Sequence, residues 1–210
     1  MRENKKEALT KFHRTAILQA AEQLFLDKGI ANTTMDDIAK AAEYSKATLY
    51  VYFKNKEEIV SSITLIGMQL LRDCIRKAVS ENTDYSHKYF GICYAMVDFQ
   101  KDHPFYFDNL LKEINVDLEL KETLPVYHDI FDAGEEINRA IRTLMEVGVQ
   151  QGCIRSDIKI PQMTFIFWAS ISGIIHMASQ KENYITKCIG VSQEEFLQYS
   201  FETLRRSIMA

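Results

Sequence analysis

Residues that interrupt helices are scarce in this chain, which has only 3 Pro and 8 Gly among 210 residues. Chains built from many short strands use both residues in their turns, and neither suits a helix interior. Apolar residues recur at helical spacing between short polar breaks, and no stretch shows the strict alternation of a half-buried strand. The sequence therefore predicts an all-α fold made of long helices.

Charge and cysteine usage narrow the classes of protein that fit. The net charge is −4, and residues 1–60 carry nearly as many acidic as basic side chains. Any nucleic-acid surface must therefore come from the placement of a few cations rather than from bulk charge. Four scattered cysteines without a CxxC pair predict neither a disulfide framework nor a metal site, and they suit a cytoplasmic protein. The polar N-terminus does not resemble a signal peptide.

The most apolar run is "MTFIFWASISGIIHMA", from Met163 to Ala178. It is shorter than the ~20 residues that a membrane span needs. The run therefore predicts a helix buried on more than one side, and no membrane partner is expected.

Helical periodicity and capping residues give the predicted helix bounds. Gly29 and Gly152 are natural stops for the helices before them, and Gly134 and Gly148 weaken the case for one continuous helix around them. The predicted helices are Thr10–Lys28, Thr34–Ala42, Lys46–Phe53, Asn55–Val79, Tyr85–Lys101, Pro104–Asn115, Pro125–Gln151, Pro161–Gln180 and Ser192–Ile208.

Two short helices follow the first long one, and each has a capping signal. Thr34 with Asp37 forms an Asp variant of the capping box, and Ser45 can cap the next helix. Asn55 can cap the fourth helix, with Glu58 at its third position. This arrangement is typical of a helix-turn-helix, whose second short helix can enter a DNA major groove. Helix lengths alone fit a generic three-helix corner equally well.

The stretch "TTMDDIAKAAEYSKATLYVYFKNKEEIV" resembles the TetR family of transcriptional regulators. The family pattern is roughly T-x-x-x-I-A-x-x-A-G-V-S-x-x-T-L-Y-x-Y-F-x-x-K-E-E-L. The matching residues are Thr34, Ile38, Ala39, Ala42, Ser45, Thr48, Leu49, Tyr50, Tyr52, Phe53, Lys56, Glu57 and Glu58. The resemblance implies a DNA-binding domain at residues 1–56 and a ligand-binding and dimerisation domain at 57–210. It also implies a cytoplasmic homodimer, most often a repressor, that binds a palindromic operator and is released by a small apolar or amphipathic molecule.

The resemblance assigns DNA contacts residue by residue. Lys46 matches a base-reading position and could donate to guanine, Ala47 could pack on a thymine methyl, and Tyr50 touches bases or backbone. A packing role for Tyr50 and a solvated Lys54 remain the alternatives. Leu49 and Phe53 belong to the core. Contacts to the DNA backbone are expected from Thr34, Ser45, Thr48, Tyr52, Lys54 and Lys56.

Three residues depart from the family pattern. Glu43 replaces the usual turn glycine and Tyr44 replaces a small apolar residue. Because the turn needs a left-handed residue, we predict a positive φ at Glu43 or Tyr44, at a cost of roughly 1–2 kcal/mol. Asp36 stands near a position where some family members carry a basic DNA contact, so it should weaken that contact.

Aromatic and apolar side chains of the larger domain are the candidate ligand contacts, with ordinary core packing as the alternative for each. The five histidines are dispersed, and His176 suits a hydrogen-bonded core position as well as a ligand contact. Glu113 or Asp117 could receive a cation. The candidates are Ile66, Leu70, Phe90, Tyr94, Phe99, His103, Tyr106, Phe107, Trp168 and His176.

By resemblance the last two helices form the dimer surface. The expected interface residues are Phe165, Trp168, Ile171, Ile175, Phe196, Tyr199 and Leu204. Two rival functions remain, namely a helical enzyme using the same cavity and a helix-turn-helix that contacts only proteins. The enzyme would need paired acid–base groups or a metal cluster, and the sequence shows neither. No cofactor, metal or catalytic residue is therefore expected.

Overall fold

The structure is a computed structural model that describes residues 2–81, 84–110 and 125–210. These residues form helices joined by short connections, together with one isolated bridge between Ile154 and Met209, so the all-α prediction is confirmed. The helices are α1 Arg2–Lys28, α2 Met35–Ala41, α3 Lys46–Tyr52, α4 Lys56–Glu81, α5 Tyr85–Asp102, α6 Pro104–Leu110, α7 Pro125–Gln150, α8 Ile160–Gln180, α9 Glu182–Tyr184 with a π-helical turn Ile185–Ile189, and α10 Gln193–Arg206.

Two compact units divide the chain. The first unit contains Met1–Gly67 and the described part of Asn115–Phe131, and the second contains the described parts of Met68–Ile114 and Asp132–Ala210. The division falls inside α4 and near the start of α7, so both helices contribute residues to both units. The predicted boundary after residue 56 lies at the first residue of α4, ahead of this division.

Apolar side chains from four helices form the core of the first unit. Ile17 on α1, Ile38 on α2, Leu49 on α3 and Ile59 on α4 are completely buried. Burial of this set brings the two short helices against α1 and the start of α4.

The helical spacing of Ile38, Ala41 and Ala42 predicts that all three face the core, but Ala41 is exposed and Ala39 is buried instead. Successive residues of a helix turn by about 100°. Ile38, Ala39 and Ala42 therefore share one side of α2, and Ala41 lies beyond its edge.

The second unit is built around α8, which packs on α5 and α10. The buried Tyr89 hydroxyl of α5 donates to the Phe201 carbonyl of α10 at 3.0 Å. Its ring meets Phe167 of α8 edge to face, with centroids 5.5 Å apart. Aromatic packing and one buried hydrogen bond thus join the three helices.

The buried stripe of α4 drifts around the helix along its length. The spacing of Ile59, Ile63, Ile66, Leu70 and Ile75 predicts one apolar stripe along α4. Ile59, Ile63 and Ile75 are buried, but Leu70 is 37% exposed and Leu71 is completely buried in its place. Residues four apart follow a row inclined to the helix axis, so a core that follows this row moves progressively around α4. A stripe drawn straight down the helix therefore misplaces Leu70.

α7 is continuous despite its two glycines, Gly134 and Gly148. Close packing explains the glycine at position 148. A Cβ at Gly148 would lie 2.6 Å from Ile154 Cδ1 and 2.9 Å from Tyr85 Cε2. Such distances are well inside van der Waals contact, so α7 accepts glycine there in exchange for close approach of its neighbours.

Two helical segments were not foreseen. α1 begins at Arg2 rather than near Thr10. Its first turns were not predicted because they are polar and carry no apolar stripe. The segment Glu182–Ile189 between α8 and α10 is also helical, and it ends at Gly190, whose φ is +83°.

The length and composition of α8 would allow it to cross a membrane. The 21-residue helix is longer than the apolar run read from the sequence, and 28% of its most apolar 18-residue window is buried within the protein. One side of α8 packs against α5 and α10, whereas Phe165, Ile166 and Met177 are exposed, so the predicted burial on more than one side is wrong for the single chain.

Candidate DNA-binding surface

A complete capping box starts α2. Thr34 Oγ1 accepts the Asp37 backbone N–H at 3.2 Å, and the Asp37 carboxylate accepts the Thr34 backbone N–H at 2.9 Å. Lys28 also pairs with Asp37 at 2.8 Å, and this hydrogen bond is the main reason that the pKa of Asp37 lies far below its usual range. The predicted cap is confirmed, and it uses the hydroxyl group that was expected to meet DNA.

The turn between α2 and α3 is left-handed at Glu43, whose φ is +61°. The Glu43 N–H donates to Lys40 O at 3.2 Å, and the Tyr44 N–H donates to Ala39 O at 2.9 Å. These two bonds define a Schellman motif, which normally favours glycine at this position. The predicted positive φ is therefore confirmed, at a non-glycine residue.

The recognition helix α3 is held from its first turn and anchored by two core residues. Ser45 Oγ accepts the Thr48 backbone N–H at 3.0 Å, as predicted for the cap, and its oxygen also lies 2.7 Å from the Thr48 hydroxyl. Leu49 and Phe53 are buried, as predicted.

The opposite face of α3 points away from the core. Lys46 and Ala47 are exposed there, Tyr50 is 46% exposed and Val51 is 77% exposed. This strip of side chains is available to a partner molecule, and Val51 is a member that the sequence had not singled out.

The first residue of α3, Lys46, forms an ion pair within the protein. Lys46 Nζ lies 2.7 Å from Asp36 Oδ1, and both side chains are exposed. The hydrogen bond that Lys46 donates to Asp36 raises the pKa of the Lys46 ammonium. Lys46 must therefore leave Asp36 before it can donate to an acceptor on DNA. This exchange is a structural reason for Asp36 to weaken DNA binding, as predicted from the sequence.

Lys56 has an internal role that the sequence did not reveal. Its ammonium donates to the carbonyl oxygens of Ile30 at 2.8 Å and Thr33 at 2.9 Å, in the connection between α1 and α2. Two of its three donors are thus used inside the protein, so Lys56 has a structural role and keeps one donor for the predicted phosphate contact. Lys54 is exposed, and none of the ion pairs between described residues includes it.

Arg14 supports the end of α3 and was missed by sequence reasoning. Its guanidinium donates to the Tyr52 carbonyl and lies 3.3 Å from the Glu58 carboxylate. The same group lies 4.0 Å above the Phe53 ring. Arg14 stands three residues before the buried Ile17 on α1, which is the one signal in the sequence that it could face α3.

An aromatic cluster fixes the remaining side of the helix-turn-helix. His13 Nδ1 lies 2.6 Å from the Tyr44 hydroxyl, and the His13 ring packs 5.2 Å from the Tyr52 ring. Tyr44, the unusual turn residue, is thereby tied to α1. Tyr52 is half-buried, so it shares its ring with this cluster.

Two clefts open in the second unit. The larger, of about 470 Å³, lies between α4, α5 and α7, and we name it the Arg76–Arg139 cleft after two residues that line it. The smaller, of about 330 Å³, lies between α4 and α5, and we name it the Cys74–His103 cleft. It contains three of the predicted ligand residues: Tyr94, Phe99 and His103.

The other predicted ligand residues lie elsewhere. Tyr106 and Phe107 are buried in the core. His176 is half-exposed, with Nδ1 3.4 Å from Asp108 Oδ1, rather than buried among apolar neighbours. Glu113 and Asp117 fall outside the described residues. Neither cleft is lined by Ile66, Leu70, Phe90, Tyr106, Phe107, Trp168 or His176.

The predicted dimer residues separate into two groups. Ile171 and Ile175 are buried within their own chain, so placing them at a partner interface is wrong; their side of α8 faces α5 and α10. Phe165 is 70% exposed and Tyr199 is 75% exposed. The half-buried members are Trp168, Phe196 and Leu204.

Within the described residues, no group of three or more His, Cys, Asp or Glu side chains could hold a metal ion. The described part of the chain therefore gives no positive support to a metal-dependent activity.

Comparison with known proteins bears on the helix-turn-helix first. Residues 17–63 match the profile of the bacterial regulatory proteins of the tetR family. The chain is 28% identical over 139 residues to the uncharacterised transcriptional regulator YhgD of Bacillus subtilis, spanning 66% of this chain and 70% of that protein. It is 27% identical over 161 residues to the transcriptional repressor KstR2 of Rhodococcus jostii, spanning 73% of each.

The fold itself recurs in solved structures. A tetR-family regulatory protein from Rhodococcus superposes with a TM-score of 0.70 over 94% of this chain and 97% of that one, at 17% identity. Residues 17–63, which match the family profile, contain the capped α2, the left-handed turn and α3 described above. Residues 17–63 thus carry the helix-turn-helix pattern of the TetR family of bacterial transcriptional regulators, and the chain as a whole is similar to such regulators.

Proposed function

We propose that the protein is a cytoplasmic repressor that binds a near-palindromic operator as a homodimer and is released by a small ligand. The observation that carries the proposal is the exposed strip of α3, where Lys46, Ala47 and Tyr50 face outward from a capped and anchored helix. The relative KstR2 is named a repressor, which favours repression over activation.

A gel-shift against the DNA upstream of the protein's own gene tests the main reading. Lys46→Ala should cost ~1–3 kcal/mol at one base position of each half-site, because a bidentate contact to guanine discriminates by that amount. Lys54→Ala should weaken all sequences alike and flatten the salt dependence by about one unit per contact. Equal loss on every sequence from Lys46→Ala would contradict base reading.

The same assay separates the rival functions. A helix-turn-helix that contacts only proteins, or an enzyme that uses the cavity, predicts no specific shift, and Lys46→Ala would then have no effect. Asp36→Asn should tighten operator binding a few-fold, because it frees Lys46 and removes a carboxylate facing the phosphates.

A homodimer is proposed from the outward sides of α8 and α10. Phe165, Ile166, Met177 and Tyr199 are all large, apolar or aromatic, and between 48% and 75% exposed. Such a set is costly to leave in water and is characteristic of an interface. Ile171 and Ile175 are excluded from this revised surface because they are buried.

Sedimentation equilibrium tests the dimer directly. Phe165→Asp should shift the protein towards monomer, because a carboxylate would be buried in the interface. Phe131→Asp is the matched control, since Phe131 is 48% exposed but lies on α7. A monomeric wild-type protein, or equal effects of the two substitutions, would refute this interface.

Ligand release is proposed to act through α4, which begins beside the recognition helix and lines both clefts of the second unit. A dimer uses consecutive major grooves only if its recognition helices lie about 34–36 Å apart. A shift of α4 by a few ångströms would spoil that spacing. Linkage requires DNA to weaken ligand binding by the factor by which ligand weakens DNA binding, typically 1–3 kcal/mol. Ligand titrations with and without operator measure both, and identical affinities would exclude this coupling.

A further inference from the structure

We propose that the Arg76–Arg139 cleft is a site for an anionic amphiphile, meaning a carboxylate or phosphate head group on an aliphatic chain. The inference deepens the proposed function, because its regulatory meaning rests on release by a ligand. The binding itself is argued only from the geometry and charge of the cleft.

The size and lining of the cleft suit such a molecule. Its volume of about 470 Å³ lies inside the range of roughly 300–1,000 Å³ for small-molecule sites. Val79, Ala140, Leu144 and Val147 supply an apolar wall. An aliphatic chain buried there gains about 0.8 kcal/mol for each methylene removed from water.

Three cations line the same space. Arg76 of α4, Lys88 of α5 and Arg139 of α7 approach it from three helices, and among the described residues that line it the one carboxylate is Glu136. Among the described residues, neither Lys88 nor Arg139 has an acidic partner within 4.0 Å. The cleft therefore presents an excess of positive charge next to an apolar wall.

Glu136 does not cancel this charge. Its carboxylate lies 3.5 Å from Arg72 Nε and 3.9 Å from Arg76 Nη1, so it is shared between two guanidinium groups. Arg72 pairs in addition with Asp73 at 2.9 Å. Lys88 and Arg139 thus remain as the donors available to an anionic head group.

The neighbouring cleft has the opposite character. In the described lining of the Cys74–His103 cleft, Glu81, Asp98 and Asp102 stand against one lysine, Lys77. An anion would be repelled there and attracted on the other side of α4. This contrast within one unit assigns the anionic ligand to the Arg76–Arg139 cleft rather than to the aromatic residues expected from the sequence.

Occupation of this cleft would reach the DNA-binding helices along the chain itself. Two of its walls are α4 and α7, and the first turns of both helices belong to the first unit. There the Tyr127 hydroxyl of α7 donates to Glu57 of α4 at 2.6 Å, next to Lys56. A ligand that moves α4 against α7 would therefore strain this contact beside the helix-turn-helix.

Isothermal titration of the full chain tests the assignment. The probes are decanoate and decyl phosphate, which carry the two anionic head groups, with decan-1-ol and decyltrimethylammonium as chain-matched controls, all below their micelle concentrations. Both anions should bind more tightly than either control. A preference between the two anions would identify the head group.

Substitutions place the bound anion in the cleft. Arg139→Ala and Lys88→Ala should each weaken anion binding about tenfold, the order expected for one hydrogen bond to a charged group. Lys77→Ala is the matched control on α4, because Lys77 lines the acidic cleft, and it should leave binding unchanged. Thermal melts by circular dichroism establish that each variant is folded.

Two results would overturn the inference: equal affinity for the anionic and control probes, or anion binding that survives both Arg139→Ala and Lys88→Ala. An operator gel-shift run in parallel separates this failure from failure of the proposed function. Specific operator binding without anion binding removes only the inference, whereas the absence of any operator binding removes the proposed function.

Discussion

Two basic residues of the first unit donate to groups inside the protein, whereas two that line the Arg76–Arg139 cleft of the second unit have no acidic partner among the described residues. Arg14 and Lys56 donate to backbone carbonyls within the first unit. Lys88 and Arg139 have no such partners among the described residues of the second. The cations of the first unit thus support its own backbone, whereas those of the cleft are available to the ligand proposed above.

The largest effect is expected where the first unit concentrates its contacts, at Arg14. Arg14→Ala removes a charged hydrogen bond to Tyr52 O, an ion pair with Glu58 and a cation–π contact with Phe53. We expect a loss of about 2–3 kcal/mol in the free energy of unfolding. Urea denaturation followed by circular dichroism measures this loss, and hydrogen exchange of the α3 amides would locate it.

Arg14→Lys is the matched control, because lysine keeps the charge but lacks the planar fork that reaches two acceptors. It should recover only part of the stability. Full recovery by lysine would show that charge alone matters at this position. The specific contacts of Arg14 would then not distinguish the first unit from the cleft of the second.

In the second unit the largest effect is expected from packing rather than charge. Gly148→Ala would press a methyl group against Ile154 and Tyr85, costing about 1–3 kcal/mol of overpacking that a helix propensity gain of about 1 kcal/mol partly offsets. We expect a net loss of about 1–2 kcal/mol in the free energy of unfolding. Denaturation monitored by the fluorescence of Trp168, the one tryptophan of the chain, measures this loss.

Gly134→Ala on the same helix isolates the packing contribution. Its added Cβ would meet only the terminal methyl of Met68 at 3.2 Å, which a flexible side chain can relieve. This variant should be as stable as the wild type or more so. If both alanine variants lost the same stability, close packing at Gly148 would not be the cause.

The same comparison explains what the sequence could predict. The caps at Thr34, Ser45 and Asn55 and the strained turn at Glu43 depend on residues at most five positions apart. Local rules therefore predicted them. Arg14 reaches Tyr52 from 38 positions away, and Lys56 reaches Ile30 from 26 positions away, so no local pattern could reveal either contact.

Sequence patterns also could not assign the faces of helices that are apolar all round. Phe165 and Ile171 belong to the same apolar run, yet one is 70% exposed and the other completely buried. Hydrophobic periodicity marks one side of a helix only where the other side is polar. For the same reason the aromatic residues of α5 and α6 could not be divided into core and cleft before the fold was known.

A smaller effect is expected at the turn of the helix-turn-helix. Glu43→Gly should raise the free energy of unfolding by roughly 1 kcal/mol, because φ +61° strains a residue with a Cβ. Glu43→Gln keeps that strain and removes only the charge, so urea denaturation should show no such gain. Both variants should tighten non-specific DNA binding alike, since both remove a carboxylate. Equal stability of the two variants would show that the turn is not strained.

The smallest expected effect concerns acid stability and compares a carboxylate of each unit. In the second unit, hydrogen bonds from Arg205 and Arg206 lower the pKa of Glu202 from 4.5 to about 2. A group whose folded pKa is depressed stabilises the protein above its unfolded pKa and loses that contribution as pH falls. Glu202→Gln should therefore cost at most about 1 kcal/mol at pH 6, a ceiling set by the exposure of such pairs.

The cost of Glu202→Gln should then shrink between pH 4.5 and pH 2, as the wild-type carboxylate becomes protonated on unfolding. Asp37 in the first unit should behave in the same sense, because Lys28 and Thr34 lower its pKa further still. Asp37→Asn keeps a side-chain acceptor for the cap but loses the charge. Thermal melts of both variants and the wild type at several pH values measure the two windows. A stability difference for Glu202→Gln that stays constant from pH 6 to pH 3 would show that Arg205 and Arg206 act on Glu202 through packing rather than charge.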